Sequence, residues 1–206
     1  DLVVEPRTGL SMGQHAEKMV KDWNISRQAQ DQLAFESHQK ASAANAEGFF
    51  DDMVFEFKGI KKDSITRADT TVEKLAKLRP AFDFTGQGTL TAGNSTPLTD
   101  GSSAVLIASR EKAMKQGLPI LAKFIDCEVA AVDYVKGDGL LMAPTVAVSK
   151  LLLRHNMKLQ DFDFYEVHEA FAGQVLCTFK AWNDPEFCKK VLGRDEVMGE
   201  IPREKL

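Results

Sequence analysis

From Ser11 onward the apolar residues Met12, Ala16, Met19, Val20 and Trp23 recur at helical spacing, with Gln14, Glu17, Lys18 and Lys21 between them. This spacing predicts an amphipathic helix. A second helix is predicted from Ser26, whose hydroxyl can accept an early backbone N–H, through Leu33 and Phe35 to Ala46. Gly48 is its expected stop, because glycine takes the left-handed conformation that ends many helices. Residues 53–57 read as a short strand from their β-branched and aromatic content. Beyond residue 103 the pattern alternates. Residues 104–108 read as a buried strand, 109–116 as a short helix closed by Gly117, and 120–131 as a long β-rich run. A helix over 144–155 follows, with proline in its first turn, then a strand over 162–167. The last helix, 170–182, turns Phe171, Val175, Leu176 and Phe179 inward. Strands alternating with helices imply a layered α/β fold.

Composition narrows the function classes. No apolar run approaches the roughly 18 residues of a spanning helix, so no membrane span is expected. The 26 basic and 30 acidic side chains leave a net charge of −4, which argues against a general nucleic-acid binder. An anion site must then be local. Residues 58–79 offer one, with Lys58, Lys61, Lys62, Arg67, Lys74, Lys77 and Arg79 set against Asp63, Asp69 and Glu73. This strip reads either as a solvated face or as the seat of an anionic ligand. Cys127, Cys177 and Cys188 are an odd number without metal-type spacing, so neither a disulfide framework nor a metal site is expected and a reducing compartment fits. Cys127 and Cys177 read as small buried hydrophobes and Cys188 as a surface residue. The chain starts at Asp1 with no initiator methionine or targeting segment, and reads as a piece of something longer.

Residues 85–101 are rich in glycine and hydroxyl side chains and nearly free of charge. Such a loop is either a packed connection or a place where backbone approaches a ligand. It lacks the Lys-Ser/Thr ending of a triphosphate-binding loop. Val167-His168-Glu169 falls where a predicted strand passes into a predicted helix, and in layered α/β folds ligands bind at the carboxyl ends of strands. His168 is therefore the histidine best placed for chemistry. His15 and His38 lie within amphipathic helices and His155 near a helix C-terminus, where structural or solvent-facing roles are usual.

Taken together, several segments resemble the thiolase family of acyl-CoA acyltransferases. They are Ser11-Met12-Gly13-Gln14-His15-Ala16-Glu17, Ser26-Arg27-Gln28-Ala29-Gln30-Asp31, Ser37-His38-Gln39-Lys40-Ala41, Leu78-Arg79-Pro80-Ala81-Phe82, Thr89 through Thr96, Asp100-Gly101 and His168-Glu169-Ala170-Phe171-Ala172. They run in family order over nearly all the chain. The His168-Glu169-Ala170-Phe171 form resembles the β subunits of multienzyme fatty-acid oxidation complexes, since many thiolases have Asn in place of His. The resemblance implies a thiolase-like α/β/α fold in three parts: a coenzyme A-covering loop domain (1–102), the last strand and helix of the N-terminal thiolase domain (103–118), and the first half of the C-terminal one (119–206).

It also implies roles for residues. Arg67 would meet the phosphate end of coenzyme A, Phe82 would line the pantetheine path, and Ala92, Gly93 and Thr96 would offer backbone and hydroxyl groups to its amides. Met12, Leu140 and Phe171 would line the acyl pocket. His168 would support the oxyanion at the thioester, and Glu169 would hold the turn through backbone hydrogen bonds. Coenzyme A and acyl-CoA enter as substrates, with no permanently bound cofactor. By the same resemblance the intact enzyme is a homodimer, with a hydratase/dehydrogenase α subunit as a further partner, in bacterial cytoplasm or the mitochondrial matrix. The sequence departs from the family pattern in a longer 84–88 stretch and in Thr96, where Ser is common.

The family's Gly-His-Pro histidine and Cys-x-Gly segment do not occur in the sequence, nor does a nucleophilic Cys in the family's setting. These residues alone are therefore expected to be inactive in acyl transfer. The alternatives are a non-catalytic acyl-CoA-binding or assembly module, and a truncated chain without a function of its own.

Overall fold

Ser11 and Ser26 start the two N-terminal helices as their chemistry requires. In the computed structural model, which describes residues 3–100, 102–137 and 139–206, α1 spans Met12–Asp22 and α2 spans Arg27–Ala46. The Ser11 hydroxyl accepts from the Gln14 N–H while the Gln14 side chain accepts from the Ser11 N–H, a reciprocal capping box. Ser26 accepts from Ala29 N–H at 3.1 Å. Gly48 stands just past α2 at φ +75°, a conformation that strains other L residues.

Later helices follow the same local rules. Thr71 caps α3 (Val72–Ala76) and Ser109 caps α4 (Arg110–Lys115). A short 3-10 turn, Leu140–Met142, leads into α5 (Ala143–His155), which has proline in its first turn and ends on left-handed Asn156. α6 spans Ala172–Trp182, and Asp184 caps α7 (Pro185–Lys190).

The core lies where α1 and α6 cross, with α2, α5 and α7 around them. Met19 and Val20 are 1% exposed and Val175 is fully buried. Burying each such side chain contributes about 1.5–3 kcal/mol relative to leaving it in water. The crossing is close because Gly173 presents no side chain: a Cβ there would sit 2.3 Å from Val20 Cγ1. α2 packs on α3 and on α6, where Leu33 meets Val175.

The expected strands are the main departure. Among the described residues, β pairing is limited to isolated bridges such as Pro80 with Thr91 and Ser95 with Phe171. Residue 53 ends a turn, 54–56 have no regular structure, and Phe57 is bridged only to Ile60. Residues 104–108 and 120–131 are free of turns but build no ladder, and Leu106, Ile107, Leu121 and Phe124 are exposed. Within 162–167 a single backbone bond, Tyr165 N–H to Lys205 O at 2.8 Å, links the segment to the C-terminal residues. Side-chain content sets a preference for extended backbone, but a strand also needs a hydrogen-bonded neighbour.

Two cysteines lie elsewhere than expected. Cys188 is 1% exposed, its thiol directed at the Trp182 carbonyl at 3.3 Å, because α7 turns this position inward beside Phe187. Cys127 is exposed, because Arg154 and His155 of α5 engage the flanking Asp126 and Glu128 and the Cys127 carbonyl but leave its side chain in solvent. Cys177 is buried as expected.

Candidate active site

The hydroxyl-rich loop 89–96 has little regular backbone pairing of its own and is held by side chains from two helices. Glu17 of α1 accepts from Thr89 N–H (2.8 Å), Thr89 Oγ1–H (2.8 Å) and Leu90 N–H (2.9 Å). Asp31 of α2 accepts from Asn94 Nδ2 at 2.9 Å and from Arg27 Nε at 2.7 Å. Arg27 in turn donates to the carbonyls of Leu75 and Leu78 behind α3. Glu17, Asp31 and Asn94 are each at most 3% exposed. Buried carboxylates need such partners, because an unpaired charge away from water is costly.

The far side of this loop docks on the segment that leads into α6. Thr96 N–H donates to Ala170 O at 2.9 Å and Ala172 N–H to Asn94 O at 3.0 Å, flanking the Ser95–Phe171 bridge. The loop thus satisfies an N–H at the start of α6 that has no partner within the helix. A cleft of about 240 Å³ opens beside this junction, between Ser37 and His38 of α2, Gly93 and Thr96 of the loop, and His168 and Glu169.

Of the residues singled out from the sequence, Gly93, Thr96 and His168 share this cleft. His168 is exposed there. Phe82 and Phe171 form an adjoining edge-to-face pair with centroids 5.7 Å apart. Phe82 lies so close on α1 that a Cβ at Gly13 would fall 2.2 Å from its ring. Met12, Phe82, Ala92, Leu140 and Phe171 lie outside the cleft lining, as does Arg67. Met12 is the first residue of α1, Ala92 is exposed on the loop, and Leu140 is half-buried in the 3-10 turn before α5. Arg67 is exposed, and its backbone N–H reaches His38 Nδ1 at 3.4 Å.

Sequence patterns alone undervalued His38. Burial, with the nearby charge of Arg67, holds its imidazole below the usual histidine range, so it is neutral at neutral pH. Since Nδ1 accepts from Arg67, the ring proton belongs on Nε2. Glu169 also meets α2. Burial pushes its carboxyl up, opposed by a hydrogen bond with the Ser37 hydroxyl of α2 and by the charge of Lys40. His15 is structural, buried with Nε2 2.8 Å from Thr8 Oγ1, and His155 pairs with Asp126. Glu17, Asp31 and Asn94 were missed too. The available signal was a carboxylate adjoining the apolar stripe of each amphipathic helix, next to Ala16 in α1 and two positions before Leu33 in α2.

Residues 1–111 match the family model described as the thiolase N-terminal domain, and residues 118–193 match the thiolase C-terminal domain. This chain belongs to the thiolase family. Among curated relatives it is 43% identical to a 3-ketoacyl-CoA thiolase of Pseudoalteromonas translucida, over 98% of this chain and 47% of that protein. It is 40% identical to the 3-ketoacyl-CoA thiolase of Yersinia enterocolitica with the same coverage. Among solved structures, the acetyl-CoA acetyltransferase of Bacillus anthracis superposes with a TM-score of 0.78 at 35% identity, over 98% of this chain and 48% of that one. That of Syntrophomonas wolfei gives 0.75 at 30% identity. The thiolase chain therefore has the thiolase-like α/β fold, and it spans about half the length of the relatives it matches.

Proposed function

We propose that these residues form the coenzyme A-covering part of a 3-ketoacyl-CoA thiolase and supply its oxyanion-site histidine. The observation that supports this most directly is the docking of residues 94–96 on residues 170–172, with Gly93, Thr96 and His168 on one cleft. In this reading residues 1–102 are the covering domain, 103–118 complete the N-terminal thiolase domain, and 119–206 begin the C-terminal one. The basic side chains around Arg67 attract the phosphates, and the 92–96 backbone and the Thr96 hydroxyl hydrogen-bond the pantetheine amides. Phe82 and Phe171 flank the slender chain, and Met12 and Leu140 bound the acyl group.

In thiolysis an enzyme cysteine thiolate attacks the 3-keto carbon, the bond between that carbon and C2 breaks, and acetyl-CoA leaves once its C2 has taken a proton. The coenzyme A thiolate then attacks the acyl-cysteine thioester and expels the cysteine thiolate. Negative charge collects on the carbonyl oxygen in both steps. His168 donates a hydrogen bond to that oxygen, and a preorganised donor of this kind contributes about 3 kcal/mol to lowering the barrier. The activating histidine and the proton-moving cysteine of the family have no counterpart in these residues, so the 206-residue chain by itself binds without turning over. The whole enzyme in this reading is a homodimer, associated with a hydratase/dehydrogenase subunit, in bacterial cytoplasm or the mitochondrial matrix.

Calorimetric titration of coenzyme A into the chain tests the reading. The wild type should bind, Arg67→Ala should weaken binding about tenfold, as loss of one charge-assisted contact does, and His168→Ala should leave it nearly unchanged. Equal affinity of wild type and Arg67→Ala, or no binding by either, overturns it. The basic strip and the hydroxyl loop also favour a second reading, a non-catalytic acyl-CoA-binding module. Under that reading the full-length protein binds coenzyme A but shows no acyl transfer, with or without His168→Ala.

A further inference from the structure

The cleft loop carries a fixed side-chain amide at its centre. Asn94 is 3% exposed, and its side chain is fully committed: Nδ2 donates to Asp31 Oδ1 (2.9 Å) and Thr89 O (3.2 Å), while Oδ1 accepts from Thr91 N–H (2.8 Å). Only one orientation of the amide works. Flipped, it would set its carbonyl against the Asp31 carboxylate and its NH2 against the Thr91 N–H. The backbone of the same residue accepts from Ala172 N–H, and two positions on Thr96 N–H holds Ala170 O. Asn94 therefore ties α2 on one side to the start of α6 on the other, and it lines the cleft together with Gly93, Ser95 and Thr96.

The support behind Asn94 is equally directed. Asp31 is 1% exposed and shares its charge with Arg27, whose guanidinium also fastens the carbonyls of Leu75 and Leu78. Glu17 fixes the first two residues of the loop but does not reach its cleft-facing half. Backbone bonds tie residues 94–96 to 170–172, and from the α2 side the Arg27–Asp31–Asn94 series holds the same residues in place.

We propose that Asn94 is a positioning residue that sets the spacing between the 93–96 backbone and His168, with Asp31 and Arg27 acting through it. This rests on the coenzyme A reading above as far as the ligand is concerned. The test compares the wild-type chain with Asn94→Asp, Asp31→Asn and the double variant that exchanges the two. Asn94→Asp keeps the shape but sets a carboxylate against Asp31 and Thr89 O. Asp31→Asn removes the charge at the other end and serves should the first variant fold poorly. Two readouts are taken, coenzyme A affinity by calorimetry and hydrogen exchange at the Thr96 and Ala172 amides.

Each single variant should lose about tenfold in affinity, the size expected for one unmet buried polar group. Each should also lose about tenfold in protection at Thr96 and Ala172 while the interior of α1 stays protected. The exchanged pair should recover a substantial part of both losses, because the amide then carried by α2 can donate where the Asp31 carboxylate accepted. Unchanged protection at both amides in Asn94→Asp and Asp31→Asn overturns the proposal, as does an exchanged pair no better than the single variants. If the wild type binds no coenzyme A, the functional reading fails, and the exchange data still decide whether Asn94 positions the loop.

Discussion

Three thiols in one chain meet three different surroundings, and their reactivity should follow. Burial pushes the Cys177 thiol up to about 12, so it remains protonated and unreactive at any ordinary pH. Cys188 is enclosed in the core, and Cys127 is exposed. Alkylation of the folded chain followed by mass spectrometry should modify Cys127 alone, with Cys177 and Cys188 labelled only in denaturant. Glu169 gives a second expectation. Burial raises its carboxyl in the folded chain, so the folded state holds that proton more tightly than the unfolded one. The associated stability is fully present below the ordinary carboxylate range, and it is lost as pH rises through the raised value. Glu169→Gln removes this slope. Its melting temperature should match the wild type near pH 4 and exceed it increasingly toward about pH 7, on the scale set by ordinary carboxylate titration. A constant difference across that range would mean that Glu169 does not titrate in its place against Ser37 and Lys40.

The crossing of α1 and α6 holds the two helices that anchor the cleft loop, and it tolerates little added bulk. Gly173→Ala would drive a methyl group into Val20 and should destabilise the chain by about 1–3 kcal/mol in urea unfolding. What could be read from the sequence divides along the same lines. Helix starts at Ser11, Ser26 and Ser109 and stops at Gly48 and Gly117 were legible because a cap is a contract between residues three or four apart. The buried strand expected at 104–108 and the β-rich run at 120–131 build no ladder, because a ladder depends on a distant partner that local composition does not reveal. The site was half legible. Motif residues such as His168 and Gly93 stood out, but Glu17 and Asp31 looked like ordinary surface acids until loop 89–94 was seen to lie against them. Cys188 was hidden by charged neighbours, Glu186, Lys189 and Lys190, that occupy the outer face of α7 while it faces inward.

Across the molecule, order is uneven. Residues 102–108 and 119–132 carry exposed apolar side chains such as Val105, Ile107, Leu121 and Val129, without backbone partners among the described residues. Their amides should exchange with solvent orders of magnitude faster than those of α1 and α6, as measured by mass spectrometry, because an amide without a partner is protected by neither bond nor burial. Slow exchange there would show that these segments find neighbours in solution. The loop around Asn94 is the opposite case, well bonded but through long closures. Glu17 reaches Thr89 and Leu90 across 72 and 73 positions, and Asp31 reaches Asn94 across 63. Contacts of that span form only after the chain entropy of closing them has been overcome. The cleft therefore comes together late in folding, once α1, α2 and α6 have met, and a ligand that fills it stabilises the finished chain and not its precursors. A refolding chain should regain its helical signal before the Thr96 and Ala172 amides regain their protection.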